Sequence, residues 1–167
     1  RCYFSRQPGR PDSFFKKIRT LKRDVFIYGA GGLGREVLSL FNSLPNWNVV
    51  GFYDDGKRIG EKIGGRLRVL GSMKELLEVK EKTEVIIAIG NSGIKRQLAE
   101  RLSVNHFISF PSLFHPQALL QDPASITIGE GCIITAGAIL TTDIRIGRFV
   151  LVNLNCTVGH DVQIGDY

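Results

Sequence analysis

The sequence is poor in the residues that staple or metallate small proteins. Its three cysteines, Cys2, Cys132 and Cys156, form no C-x-x-C pair, and its three histidines are scattered. That spacing excludes a zinc framework and a disulfide-stapled fold, so no metal is expected. No run approaches the eighteen or so apolar residues of a spanning helix, and the N-terminus lacks the apolar stretch of a signal peptide. The expectation is a cytoplasmic protein without a membrane span. Met73 is the sole methionine and the chain stops at Tyr167 inside a repeat, which suggests a piece of something longer. What is present is ordinary: 43% hydrophobic and 23% charged over 167 residues, enough for one domain or two small ones with a buried core.

The net charge of +6 is unevenly placed. Residues 1–23 hold eight Lys/Arg and one Asp, leaving 14 basic against 15 acidic residues in the rest. The basicity is a property of the tail, so no nucleic-acid partner is expected. The tail mixes Pro, Gly and scattered aromatics and reads as loosely ordered, with a short helix possible across Asp12–Leu21.

After the tail, "DVFIYGAGGLGREVLSLFNSL" begins with the apolar run Val25–Tyr28, a candidate buried parallel strand. It continues as Gly29-x-Gly31-x-x-Gly34, then Val37, Leu38, Leu40, Phe41 and Leu44 at helical spacing. In a strand–turn–helix context, glycines permit a tight turn and let backbone approach a phosphate, while the helix N-terminus offers free N–H groups. Gly32 belongs to the same loop. A second strand, "NVVGFYDD", places Asp54 and Asp55 where a dinucleotide site would set a carboxylate on a ribose. The motif alone is compatible with NAD, with another nucleotide, or with a purely structural turn. "SMKELLEV" reads as a helix with Ser72 as N-cap and Glu75 completing a capping box. "EVIIAIGNS" is a third strand ending at Gly90-Asn91, and "GIKRQLAERL" a third helix. The sum is a small β-α-β-α-β-α layer, shorter than a dehydrogenase domain. His106 and His115 stand alone beside apolar residues and read as packing or surface groups.

From Ile128 the period changes. Ile128, Ile134, Leu140, Ile146, Val152, Val158 and Ile164 recur every six residues, and Ile-Gly returns every eighteen at 128, 146 and 164. Small or apolar residues follow four places on, including Cys132, Ala138, Ile144, Val150, Cys156 and Val162. Three hexads per turn imply a triangular coil of short parallel strands, each turn burying the next. The aliphatic residue is expected at each corner, and Cys132 and Cys156 as small buried hydrophobes. The eighteen-residue offset predicts a column of Glu130, Arg148 and Asp166, and Asp143 beneath Asp161, where like charges repel unless a partner intervenes.

The hexads, with "FIYGAGGLGREVLSLF", "VVGFYDD", "VIIAIGN" and "CTVGHDVQIGD" in this order, resemble the hexapeptide-repeat sugar acyltransferases. These bacterial enzymes include sialic acid O-acetyltransferases and nucleotide-aminosugar N-acetyltransferases. The resemblance runs from Asp24 to Tyr167. It implies a small Rossmann-like parallel sheet (24–108) that holds the sugar nucleotide, then a left-handed parallel β-helix (109–167), incomplete at its C-terminus. It further implies that His160 is the general base, Asp161 its acidic neighbour, and Asn153 a residue near the acetyl thioester. An imidazole, with its ordinary pKa of about 6.5, suits proton removal from an attacking amine or hydroxyl at neutral pH.

By the same resemblance, Gly29, Gly31, Gly32 and Gly34 lie near the phosphates, Asp54 and Asp55 near base or ribose, and Gly90 and Asn91 along the cleft. Acetyl-CoA is the implied co-substrate, bound between β-helices of a homotrimer by coils that follow the histidine, so this chain is expected to lack most of the donor site. The implied activity is acetylation of a nucleotide-linked aminosugar. The alternatives are O-acetylation of a sialic-acid-type sugar, or a non-catalytic sugar-nucleotide module. Leu33 departs from the histidine-bearing loop of some aminosugar enzymes.

Overall fold

The computed structural model describes residues 22–65 and 67–167; the possible helix across Asp12–Leu21 lies outside them. The first region alternates strands and helices: β1 (Arg23–Tyr28), α1 (Gly32–Leu40), a 3-10 turn (Phe41–Ser43), β2 (Trp47–Tyr53), β3 (Lys62–Ile63), β4 (Leu67–Gly71), α2 (Met73–Leu77), β5 (Thr83–Ile87), α3 (Ser92–Leu102) and β6 (Ile108–Ser109). They form one six-stranded sheet in the order β3-β4-β2-β1-β5-β6, parallel except for the β3–β4 pair.

Side-chain alternation explains why helices cover both faces of this sheet. In β1, Val25 and Ile27 enter one core with Val37, Leu40 and Phe41. Tyr28 enters a second core with Leu76, Leu98 and Leu102. In β5, Ile86 joins the first core while Val85 and Ile87 join the second. Successive residues of a strand point to opposite faces, so a strand covered on both reads as a continuous apolar run. The capping box of α2 is present: the Ser72 hydroxyl accepts from Lys74 N at 3.2 Å, and Glu75 accepts from Ser72 N at 2.7 Å. The Ser72 hydroxyl, which also donates to the Glu75 carboxylate at 2.6 Å, and then the Ser72 backbone N–H hold that carboxyl below its ordinary pKa. The expected β-α-β-α-β-α order lacks β3 and β6, of two residues each, and β4, which is five residues long and alternates in burial.

The second region is nine two-residue strands: β7 (Leu113–Phe114), β8 (Leu119–Leu120), β9 (Thr127–Ile128), β10 (Ile133–Ile134), β11 (Ile139–Leu140), β12 (Arg145–Ile146), β13 (Leu151–Val152), β14 (Thr157–Val158) and β15 (Gln163–Ile164). The chain visits three parallel sheets in rotation, β7-β10-β13, β8-β11-β14 and β9-β12-β15. Ile134 pairs with Val152, Leu140 with Val158 and Ile146 with Ile164, all eighteen residues apart. The coil begins one turn earlier than the hexads show. Leu113 pairs with Ile133 and Leu119 with Ile139, offsets of twenty, because two extra residues in the Gln121–Ile126 loop break the period.

The aliphatic residues are not at the corners as expected. They are the second residues of the strands and point inward from the flat faces: Ile134, Leu140, Ile146 and Val152 are all buried. The small residues Cys132 and Ala138 sit just before the strands, where each turn closes. Cys156, expected to be buried, is exposed; it lies on the last turn, with no turn above it among the described residues.

From β9 onward each corner also carries a residue with positive φ, in three vertical columns: Gly131, Phe149 and Tyr167; Gly137 and Asn155; Asp143 and Asp161. Gly, Asn and Asp suit the left-handed region, whereas an aromatic there is unusual. Phe149 and Tyr167 compensate by stacking, with centroids 5.5 Å apart, and Phe149 meets Phe110 edge-to-face at 5.1 Å. The recurrent Gly129 and Gly147 have a packing reason, since a Cβ on Gly129 would lie 2.7 Å from the Gly147 carbonyl. The predicted charge column is present in its upper rung: Arg148 donates to Asp166 at 2.9 and 3.2 Å through its guanidinium and at 2.8 Å through its backbone N–H.

The coil and the sheet share their cores. Leu113 and Ile133 pack in the first cluster and Phe149 in the second. At this junction the Lys95 amine, 6% exposed, donates to the Phe149 carbonyl at 2.9 Å, and burial pushes its pKa below the ordinary lysine range. Lys95→Met keeps the length of the side chain but orphans that carbonyl. A loss of about 1–3 kcal/mol is expected at neutral pH in chemical denaturation. Unchanged stability would mean that desolvating the amine cancels the bond.

Candidate functional site

The glycine turn joins the carboxyl end of β1 to α1. Gly29 has φ of 103°, and a Cβ there would meet the Ala88 carbonyl at 2.7 Å, so this position requires glycine. A Cβ on Gly34 would overlap the Gly29 carbonyl oxygen; its absence lets α1 seat directly on the turn. Gly31 and Gly32 face open space, with nothing within 4 Å of an added Cβ. Free N–H groups at the start of α1 therefore stand beside a surface that a ligand can approach. α3 begins in the same way after the adjacent parallel strand β5, with Asn91 as N-cap accepting from Ile94 N at 2.9 Å. Gly90 likewise has open space around it.

Asp54 and Asp55 are already engaged within the chain. Asp54 accepts from Ala30 N at 2.7 Å through one oxygen and from Gly56 N at 2.8 Å through the other. It ties the glycine turn to the loop after β2. Asp55 accepts from the Tyr28 hydroxyl and from Met73 N, both at 2.8 Å. Burial, then the Asp55 hydrogen bond, push the Tyr28 hydroxyl well above its ordinary pKa, so it stays a donor. The sequence placed both carboxylates at the right strand end but carried no sign of these bonds.

The second cluster lies on the coil. His160 and Asp161 occupy the corner between β14 and β15, with His160 Nδ1 2.7 Å from Asp161 Oδ2. Both side chains are more than three-quarters exposed. Pairing at Nδ1 leaves Nε2 without a partner among the described residues. Asn153 lies on the preceding corner, between β13 and β14, exposed, its Oδ1 accepting from Leu154 N at 2.8 Å. No hydrogen bond among the described residues joins Asn153 to His160, or either to the glycine turn.

Asp143 does lie one turn below Asp161. Thr142 Oγ1 donates to its Oδ2 at 3.2 Å, and its backbone N–H donates to Ser125 Oγ at 2.9 Å. Sequence reasoning missed the polar cleft there, lined by Ser125, Asp143, Arg145, Asp161 and Gln163; the signal was present as the eighteen-residue columns 125/143/161 and 127/145/163. His115 Nδ1 accepts from Gln117 N and the His106 ring lies against Phe107, so neither belongs to the site. No group of three or more His, Cys, Asp or Glu among the described residues is arranged to hold a metal. No helix among them is long and apolar enough to cross a membrane.

Comparison with known proteins bears on the family of the chain. The family described as "PglD N-terminal domain" matches residues 24–102. GDP-perosamine N-acetyltransferase of Escherichia coli O157:H7 is 31% identical over 145 residues, which cover 84% of this chain and 64% of that protein. UDP-N-acetylbacillosamine N-acetyltransferase of Bacillus subtilis (strain 168) is 35% identical over 117 residues, 68% of this chain and 52% of that one. The chain thus spans between half and two thirds of the length of these curated relatives. The acetyltransferase domain of PglB from Neisseria gonorrhoeae FA1090, solved with acetyl coenzyme A, is 30% identical with a TM-score of 0.75 over 86% of this chain and 68% of that one. With a glycine turn at the head of a parallel sheet, a coil of hexads behind it and these relatives beside it, the chain belongs to the hexapeptide-repeat sugar acyltransferases that carry a PglD N-terminal domain.

Proposed function

We propose that this chain is the sugar-nucleotide-binding and base-bearing part of an acetyl-CoA-dependent N-acetyltransferase acting on a nucleotide-linked aminosugar. The observation that carries the reading is the His160–Asp161 pair at 2.7 Å on a hexad coil that follows a glycine turn open to a phosphate. Two relatives named as N-acetyltransferases of such sugars, and one solved with acetyl coenzyme A, support it.

In this reading the chain divides at about residue 108. Residues 24–108 hold the nucleotide: the N–H groups at the start of α1 receive the pyrophosphate past Gly31 and Gly32. Asp54 and Asp55 shape the pocket by tying its loops, and Gly90 and Asn91 line its other side. Residues 109–167 form turns of a left-handed β-helix. Exposed Asn153 and Leu154 suit the amide and methylene groups of a pantetheine arm, and acetyl-CoA supplies the activated acyl group. His160 Nε2 takes one proton from the sugar amine as its nitrogen bonds to the thioester carbonyl carbon. The carbon–sulfur bond then breaks and the proton returns to the departing thiolate. Asp161 holds the ring so that Nε2, not Nδ1, faces the amine, and it stabilises the imidazolium that forms. The exposure of this corner on a single chain suits a site closed by a neighbouring copy, so a homotrimer working in the cytoplasm is part of the proposal.

The test is thiol release from acetyl-CoA by a form extended to the length of its relatives, against UDP- and GDP-linked aminosugars and free sialic acid. Release with a nucleotide-linked aminosugar is expected. Release with sialic acid alone would move the reading to O-acetylation, and silence from a folded protein would leave a binding module.

A further inference from the structure

Two columns of side chains border the His160 corner. One is Ser125, Asp143 and Asp161 at successive turns; the other is Thr127, Arg145 and Gln163, outward on β9, β12 and β15. Between them lies a cleft of about 320 Å³ lined by Ser125, Asp143, Arg145, Asp161 and Gln163. Asp161 is shared: it lines the cleft and holds His160 Nδ1. The cleft therefore opens beside the base.

Its chemistry is mixed. Acceptors stand on one side, Asp143 and Asp161, and donors on the other, Arg145 and Gln163. Ser125 and Asp143 are held in place, Ser125 Oγ lying 3.0 Å from Thr142 Oγ1 and accepting from Asp143 N at 2.9 Å. Arg145 forms no salt bridge among the described residues, so its donors are available for a ligand. Two carboxylates disfavour an anion, and a guanidinium disfavours a bare cation. An apolar group would desolvate all five side chains without replacing their hydrogen bonds. A neutral polyhydroxylated ring fits instead, because each hydroxyl both donates and accepts.

We infer that this cleft is a specificity subsite for the hydroxyl groups of the acceptor sugar, with Arg145 and Gln163 donating and Asp143 accepting. The inference rests on the proposed function and deepens it: the nucleotide is held by the sheet, whereas the sugar ring is read by the coil next to His160. Arg145 and Gln163 choose the sugar and take no part in proton transfer.

The test compares, by calorimetry on the extended protein, the affinity of each UDP- and GDP-linked aminosugar with that of its nucleoside diphosphate. The same titrations are made on Arg145→Met and Gln163→Leu, both on an exposed face that leaves the buried core untouched. In wild type at least one nucleotide sugar is expected to bind more tightly than its diphosphate. In Arg145→Met that preference is expected to fall about 10- to 100-fold, the worth of one hydrogen bond to a charged group, with diphosphate affinity and the KM for acetyl-CoA unchanged. Equal binding of sugar and diphosphate by wild type, an undiminished preference in both variants, a rise confined to the KM for acetyl-CoA, or loss of assembly in Arg145→Met would each overturn the inference. Failure of the proposed function reads separately, as absence of thiol release from wild type.

Discussion

His160→Ala is expected to lower kcat for acetyl transfer by roughly 10²–10⁴-fold, the usual worth of a positioned general base, while sugar-nucleotide affinity stays within about twofold. The imidazole is more than three-quarters exposed and bonded only to its neighbour Asp161. Removing it disturbs no packing, so a loss of turnover cannot be assigned to misfolding. Asp161→Asn separates the two parts of the pair. The amide oxygen can still accept from Nδ1–H and keep the tautomer, but it cannot stabilise an imidazolium, so an intermediate loss is expected. The measurement is steady-state thiol release beside calorimetric binding of the nucleotide sugar. Turnover in His160→Ala equal to wild type would remove the mechanism and leave the fold assignment standing.

Gly34→Ala is expected to destabilise the protein by on the order of 3 kcal/mol, at the upper end of the cost of overpacking. Gly34 sits in a helix, where alanine by itself would favour folding by about 1 kcal/mol. Here the added methyl would overlap the Gly29 carbonyl, and Gly29 cannot retreat because its own Cβ position abuts Ala88. Gly31→Val is the contrasting variant. Gly31 has extended backbone at φ −79°, with nothing within 4 Å of an added Cβ, so the fold accepts the branch. The branch would instead fill the space through which a pyrophosphate reaches the N–H groups of α1. Nucleotide-sugar affinity is expected to fall at least about tenfold, the loss of one hydrogen bond to a charged group. Thermal unfolding and calorimetry on the two variants separate the roles. If Gly31→Val bound normally, the pocket would lie elsewhere; if Gly34→Ala were as stable as wild type, α1 would not be seated on the turn as described.

Periodic features were legible in the sequence, and features set by contact were not. The glycine turn, the capping box of Ser72 and Glu75, and the eighteen-residue offset between Ile128, Ile146 and Ile164 all carry a local signal, and each is present. The strands β3, β6, β7 and β8 are two residues long, too short for any alternation to register. The corner rule also stayed hidden, because its residues share a backbone region and not a chemistry. Gly131, Asp143, Phe149 and Asn155 have no common side chain, yet all adopt positive φ. At the candidate site, His160 beside Asp161 was visible as adjacent letters. Arg145 and Gln163 share only the eighteen-residue column 127/145/163, whose place beside His160 follows once the coil is wound. Lys95 carries no local sign of burial in its helix, yet it is buried against the coil.

That junction gives the chain a mechanical character that its sequence pattern hides. A sheet domain and a coil read as two modules, but Leu113, Ile133 and Phe149 complete the cores of the sheet. α3 reaches from Asn91, at the nucleotide end, to the lysine that holds Phe149. Neither region can expose its interior without opening the other, so the two should unfold together as one cooperative unit. Under the proposed function, the distance between a nucleotide at the turn and a base on the coil would then be set by a rigid frame and not by a hinge.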